Sequence, residues 1–209
     1  MAKKPDYLTY TLRQLSANPL IGDIVLICNH GEPIVFDGMS DKIRQLVQTE
    51  NIGVNPAWNL GMTLCRSPYY LLLNDDVLCQ SSIIDSCYNV LRSDNSVGQV
   101  VVETLQAIPS PNAPIAPVDM YIYYQFYRYR PYGWFMLGKS KDWRAIPETM
   151  KIFFGDYYIQ HGLVQQGYNI AKLVSATISH DTSSTVRALQ LNTTLQKQQE
   201  RYFYEQAVA

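Results

Sequence analysis

The run Tyr69-Tyr70-Leu71-Leu72-Leu73 passes without a break into Asn74-Asp75-Asp76, and this junction constrains the fold more than any other feature. Five consecutive large apolar residues suit a strand buried on both faces, as in a sheet covered by helices. The remaining pattern supplies those helices. Leu8, Leu12 and Leu15 recur at helical spacing behind Pro5 and predict a helix over 5–17. Strands are expected at 23–28 and 42–48, and a helix begins at Asn55-Pro56, as N-cap and first position, and runs to Arg66. A second amphipathic helix is expected over 80–93, with Ile83, Ile84, Cys87 and Leu91 on one face, and then a strand at 97–102. Ile108 to Pro117 holds four prolines and reads as a loop. Strands at 118–124, 134–139 and 168–174 and a helix at 155–166 complete the pattern. Strand–helix alternation of this kind predicts a single α/β domain with a mostly parallel central sheet flanked by helices. It occupies 1–182, with a polar helical tail at 183–209.

The charge balance narrows the function. Seventeen Lys and Arg against eighteen Asp and Glu give a net charge of -1, which excludes nucleic-acid binding by bulk electrostatics. Cys28, Cys65, Cys79 and Cys87 form no C-x-x-C pair and sit among apolar neighbours, as buried thiols do in a reducing compartment. No apolar run spans a bilayer, and Lys3-Lys4 leads into Pro5-Asp6, so a cytoplasmic protein is expected. No G-x-G-x-x-G follows a strand, which argues against a dinucleotide-dependent oxidoreductase. A sugar-phosphate nucleotidyltransferase would need a glycine-rich loop before the first helix, and Met1 to Pro5 contains no glycine.

Two readings fit the acidic triplet. Ligands of open α/β sheets bind beyond the carboxyl ends of the strands, where adjacent carboxylates attract a hard divalent cation. Alternatively the triplet is a turn, with Asp76 capping the next helix.

The surrounding residues carry a resemblance. Asn51-Ile-Gly53-Val-Asn55-Pro-Ala-Trp-Asn59-Leu-Gly61, then a helix, then Tyr70-Leu-Leu-Leu-Asn74-Asp75-Asp76, resembles the nucleotide-sugar half of family 2 glycosyltransferases with the GT-A fold. Gly133-Trp134-Phe135-Met136-Leu137 is similar to the strand before their acceptor site. Pro147-Glu148 and Phe154-Gly155-Asp156 resemble the segment with the catalytic base, and Ile178-Ser179-His180 the late metal-binding histidine. The likeness covers 5–185, with a nucleotide-sugar half at 5–105 and an acceptor half at 118–182.

The resemblance implies an inverting transfer of a sugar from a nucleotide-diphosphate donor to a hydroxyl acceptor on a glycan, a protein or another molecule. It assigns Asp76 and His180 to a Mn2+ or Mg2+ ion, Asp75 to the ribose, and Asn29, Asn51, Asn55, Asn59 and Asn74 to the nucleotide-sugar side. Asp156 would be the base that deprotonates the acceptor. Asp156 also suits a helix N-cap, and His180 a turn before Asp181-Thr182. His30 and His161 read as structural or surface residues. Six tyrosines crowd Tyr121 to Tyr132. Tyr121, Tyr123 and Tyr124 suit a half-buried sheet, while Arg128, Arg130 and Trp134 are candidates for the acceptor side.

Three departures accompany the likeness. The family opens with a central apolar strand, whereas here the first helix begins almost at Met1. A shortened reading frame and a sheet with exposed edges, prone to instability or self-association, are the expectation. Cys28 stands where many members place a base-reading aspartate, and Gly155-Asp156-Tyr157 has one acid where many have two. These departures support an alternative, a non-catalytic module of the same fold that binds a sugar or nucleotide.

Overall fold

The computed structural model describes residues 5–29, 31–35, 37–105, 122–123, 132–180 and 193–209. The proline-rich loop expected at 108–117 and the candidates Arg128 and Arg130 lie outside them, as does His30. Helix α1 (Pro5–Ala17) packs Leu8, Leu12 and Leu15 into the core. Strands β1 (Ile24–Cys28) and β2 (Ile43–Val47) pair in parallel as a two-stranded sheet. Helix α2 (Val54–Leu64) leads to β3 (Tyr69–Leu73), β4 (Val77–Leu78), α3 (Ser81–Ser93) and β5 (Val97–Leu105). Then come β6 (Ile122–Tyr123), β7 (Phe135–Lys139), α4 (Gly155–Gln165), β8 (Asn169–His180) and α5 (Thr193–Val208).

The larger sheet has six strands in the order β3-β7-β5-β8-β4, with β6 also paired to β8. It is mixed, which corrects the mostly parallel expectation. Among the described residues only β5 and β8 run parallel within it; β7 is antiparallel to both neighbours, and β4 and β6 are antiparallel to β8. The parallel expectation rested on helical crossovers, and β7 enters the sheet from β6 with no crossover helix among the described residues. Among those residues, no strand pairs with the second edge of β1 or of β3.

The period of two along β5 and β7 divides the core. Val100, Val102, Phe135 and Leu137 join α1 and α3 on one face. Val101 and Met136 join Tyr158, Ile159 and Leu163 of α4 on the other, with Tyr204, Ala207 and Val208 of α5 against them. Phe135 and Met136 are fully buried, each contributing about 1.5–3 kcal/mol from apolar burial. β4 is tied down by α1, since the Thr11 hydroxyl donates to the Val77 carbonyl at 2.6 Å and accepts from the Cys79 N–H at 3.2 Å.

Helix α2 begins at Val54, one residue before the expected Asn55 cap. Gly53 takes that place with φ 91°, a left-handed conformation suited to glycine. Asn51 Oδ1 accepts the Gly53 N–H at 2.9 Å, and a Cβ at Gly53 would lie 2.6 Å from the Lys151 carbonyl oxygen.

Candidate functional site

Three chain segments meet at one end of the larger sheet. β3 ends at Leu73, whose register partner is Phe135 at the start of β7, and the Asn74 N–H donates to the Trp134 carbonyl at 3.2 Å. β8 ends nearby at His180, opposite Val77. This pairing carries the residue before Val77 to the imidazole: His180 Nε2 lies 3.2 Å from Asp76 Oδ1, with Asp76 buried and His180 partly buried. His180 also lies against the Trp134 ring, with centroids 5.5 Å apart, while Trp134 Nε1 donates to the Val102 carbonyl at 2.9 Å.

An open cavity of about 350 Å³ lies over this end. Asn74, Trp134, Asp156 and His180 line it, together with Trp58, Phe154 and Tyr157. Gly133 forms part of its floor, where a Cβ would meet Trp58 at 3.1 Å.

Asp156 sits in the first turn of α4 and is 7% exposed. Its Oδ2 accepts the N–H groups of Tyr132 at 2.8 Å and Gly133 at 3.1 Å, and its Oδ1 accepts the Tyr157 N–H at 3.0 Å. Burial raises its pKa above the ordinary carboxylate value, against the opposing pull of these backbone donors. The carboxylate therefore both secures the turn before β7 and faces the cavity. The residue preceding α4 is not a polar cap but Phe154, which holds φ 61°. Its ring stacks on Tyr204 of α5 at 5.7 Å.

The asparagines are placed differently. Asn55 is buried and donates to the carbonyls of Met150 and Phe153 at 3.1 and 3.0 Å. Asn59 exchanges two hydrogen bonds with the Ile146 backbone at 2.8 and 2.9 Å. Both amides thus join α2 to the segment before α4, and neither residue lines the cavity. Asn51 shapes the Gly53 turn, and Asn29 Nδ2 donates to the Gly53 carbonyl at 3.3 Å. Asp75 is exposed beside the cavity-lining Asn74. Cys28 is buried, with Sγ 3.3 Å from Gln45 Oε1, and burial raises its pKa.

Sequence reasoning missed the tail's part in this region. Glu200 of α5 is 3% exposed, and its Oε2 accepts the N–H groups of Ile152 at 3.0 Å and Phe153 at 2.6 Å. Its neighbours Lys197 and Arg201 line the cavity. The four-residue spacing of those two cations, which places them on one helix face, was the available signal.

The donor set suits one divalent ion as part of its shell. With metal–ligand bonds of about 2.1 Å, two ligands at right angles stand about 3 Å apart. The 3.2 Å between His180 Nε2 and Asp76 Oδ1 is close to that separation, and also to that of a hydrogen bond. Among the described residues no group of three or more His, Cys, Asp or Glu forms a fuller cluster. The other ligands would be phosphate oxygens and water, as is common for ions that act on bound phosphates.

No family model matches the sequence, and no curated protein matches it significantly. Solved structures do match in shape. GalNAc-T7, solved with UDP, GalNAc and Mn2+, superposes with a TM-score of 0.62 at 11% identity, covering 83% of this chain and 40% of its own. S. aureus TarS 1-349 superposes with a TM-score of 0.62 at 10% identity, covering 100% of this chain and 67% of its own. A longer S. aureus TarS structure gives 0.57 at 10% identity, over 88% of this chain and 36% of its own. The chain thus spans 40% of GalNAc-T7, and identities this low speak for architecture alone. Among the described residues no helix is long and apolar enough to cross a membrane. The mixed sheet, the helices on its two faces and these superpositions together give the chain the GT-A fold of glycosyltransferases.

Proposed function

We propose that the protein is a metal-dependent inverting glycosyltransferase that moves a sugar from a nucleotide-diphosphate donor to a hydroxyl acceptor. The observation that carries this reading is the convergence of Asn74, Trp134, Asp156 and His180 on one cavity, with the buried Asp76, which does not itself line the cavity, against His180. GalNAc-T7, of the same fold, was solved with UDP and Mn2+, which supports the donor and ion classes.

In this reading Asp76 and His180 would hold Mn2+ or Mg2+, and the chemistry such an ion would supply is to offset charge on the leaving diphosphate. The imidazole nitrogen favours Mn2+ over Mg2+. Asp75 and Asn74 serve the donor side, and Trp134 offers an aromatic face to the sugars. Asp156 accepts the proton of the acceptor hydroxyl as its oxygen attacks the anomeric carbon. The bond from that carbon to the diphosphate breaks, and its electron pair leaves on the phosphate oxygen. A single displacement inverts the configuration. A carboxylate whose pKa is raised by burial is a stronger base than an exposed one, which suits Asp156 to this step.

A second reading, a binding module without catalysis, is favoured by the three backbone N–H groups that already occupy the Asp156 carboxylate. Thermal unfolding with UDP, GDP, CDP and dTDP, each with and without Mn2+, tests the donor side of both. Stabilisation by one nucleotide that needs Mn2+ and disappears in Asp76→Ala supports the transferase. A metal-independent shift that survives Asp76→Ala supports the module.

A further inference from the structure

We propose that Lys197 and Arg201 of the C-terminal helix bind the diphosphate of the donor, so that α5 is a wall of the substrate site and not an appended tail. This rests on the transferase reading above and adds the residues that grip its leaving group.

The two cations lie four residues apart on α5 and line the cavity that contains His180, Asn74 and Asp156. Each is aligned by an aromatic ring of the segment before α4. Lys197 Nζ is 5.8 Å from the Phe153 centroid, and Arg201 Cζ is 5.8 Å from that of Phe154. Like charges at this spacing repel, so a helix carries them at a small cost that a bound anion would remove. Neither makes an ion pair among the described residues.

The acid between them is otherwise committed. Glu200 accepts the Ile152 and Phe153 N–H groups through Oε2 and the Gln196 amide through Oε1 at 2.8 Å. Buried there, it fastens α5 to the loop before α4 and leaves the two cations at the cavity mouth. The Phe154–Tyr204 stack makes a second attachment. The helix is thus anchored by Glu200 and by Tyr204, while both of its cations line the same cavity. A diphosphate bound near His180 and Asp76 carries the charge that this pair complements.

The test is calorimetric titration of the full chain with UDP, GDP, CDP and dTDP in Mn2+, repeated with the monophosphate of whichever nucleotide binds. Lys197→Ala/Arg201→Ala is expected to lose at least ten-fold in diphosphate affinity and to show a weaker salt dependence. Its preference for diphosphate over monophosphate should shrink, with the melting temperature unchanged because both side chains are exposed. Arg201→Lys, which keeps the charge, should retain most of the affinity. Diphosphate affinity within two-fold of wild type in the double variant overturns the proposal and leaves the transferase reading standing. Lowered melting temperature with an unchanged diphosphate preference also overturns it, since α5 would then be structural only. Failure of the folded wild type to bind any of the four nucleotides overturns both. If the double variant does not fold, Lys197→Gln and Arg201→Gln singly decide by the same criterion.

Discussion

His180 Nε2 and Asp76 Oδ1 stand 3.2 Å apart although about half the length of the chain separates the residues, because β4 pairs with β8 and sets Val77 opposite His180. If this pair holds a divalent ion, both members are needed. Asp76→Asn and His180→Ala should each weaken Mn2+ binding by about ten-fold or more, read by Mn2+ paramagnetic resonance. The two variants should differ in stability. His180→Ala leaves a buried carboxylate facing an empty space and should cost more than Asp76→Asn, which retains an oxygen acceptor. Equal Mn2+ affinity in wild type and both variants would reduce the contact to a structural hydrogen bond.

That contact shows what the sequence could and could not tell. Apolar runs long enough to fill a strand announced themselves, and Tyr69–Leu73 lies where its pattern predicts. Among the described residues, however, it is an edge strand in which only Tyr70 is buried, not the strand buried on both faces that its composition suggests. β4 was invisible, since two residues set no period, yet it creates the Asp76–His180 contact. β8 extends to His180, beyond the expected end at 174, across a register shift against β5 between Val102 and Glu103. Strand direction failed for a different reason. Side-chain pattern reports burial, which a parallel and an antiparallel strand share, and β7 is buried between two antiparallel neighbours. The asparagines illustrate a limit of motif reading, because the same amide can face a ligand or a carbonyl. Asn55 and Asn59 face carbonyls. In α5 the polar composition concealed Glu200, whose burial depends on two N–H groups far away in sequence.

Gly155 should tolerate no side chain. The Asn55 amide occupies the space that a Cβ there would need, and hydrogen bonds to Met150 and Phe153 hold that amide in place. Gly155→Ala should therefore destabilise the protein by about 1–3 kcal/mol, as overpacking does. It should also disturb Asp156, the next residue. Denaturant unfolding gives the first quantity and nucleotide-induced stabilisation the second. A variant as stable as wild type would show that the Asn55 contact is not rigid.

Thiol reactivity should follow burial. Cys79 and Cys87 are fully buried, and burial pushes the Cys79 thiol up to about 12 and Cys87 upward as well. Cys28 is buried and raised in the same direction. Cys65 alone is partly exposed. Thiolate is the reacting form, so under native conditions a chromogenic disulfide should label one equivalent rapidly, at Cys65. The Cys65→Ser variant should lose this fast phase, and denaturation should restore the other three. A fast phase that persists in Cys65→Ser would mean that one of the buried thiols is reached by local opening.

Asp156 allows its structural and catalytic contributions to be separated by pH. Burial raises its pKa above the unfolded value of 3.8, so the folded protein binds this proton more tightly than the unfolded chain does. Its contribution favours the fold at low pH and is lost as the pH rises from 3.8 through the raised folded value. Asp156→Asn has no such proton. Measured unfolding free energies should show the stability of wild type relative to the variant falling with pH across that window and levelling off above it. A flat difference would mean that the N–H groups of Tyr132, Gly133 and Tyr157 cancel the effect of burial. For catalysis, the asparagine should bind nucleotide and Mn2+ as wild type does while transferring sugar about 10²–10⁴ times more slowly, the range expected for loss of a general base. Loss of nucleotide binding along with transfer would instead make the carboxylate a fastener of the turn before β7, acting on the cavity through Gly133 and Trp134.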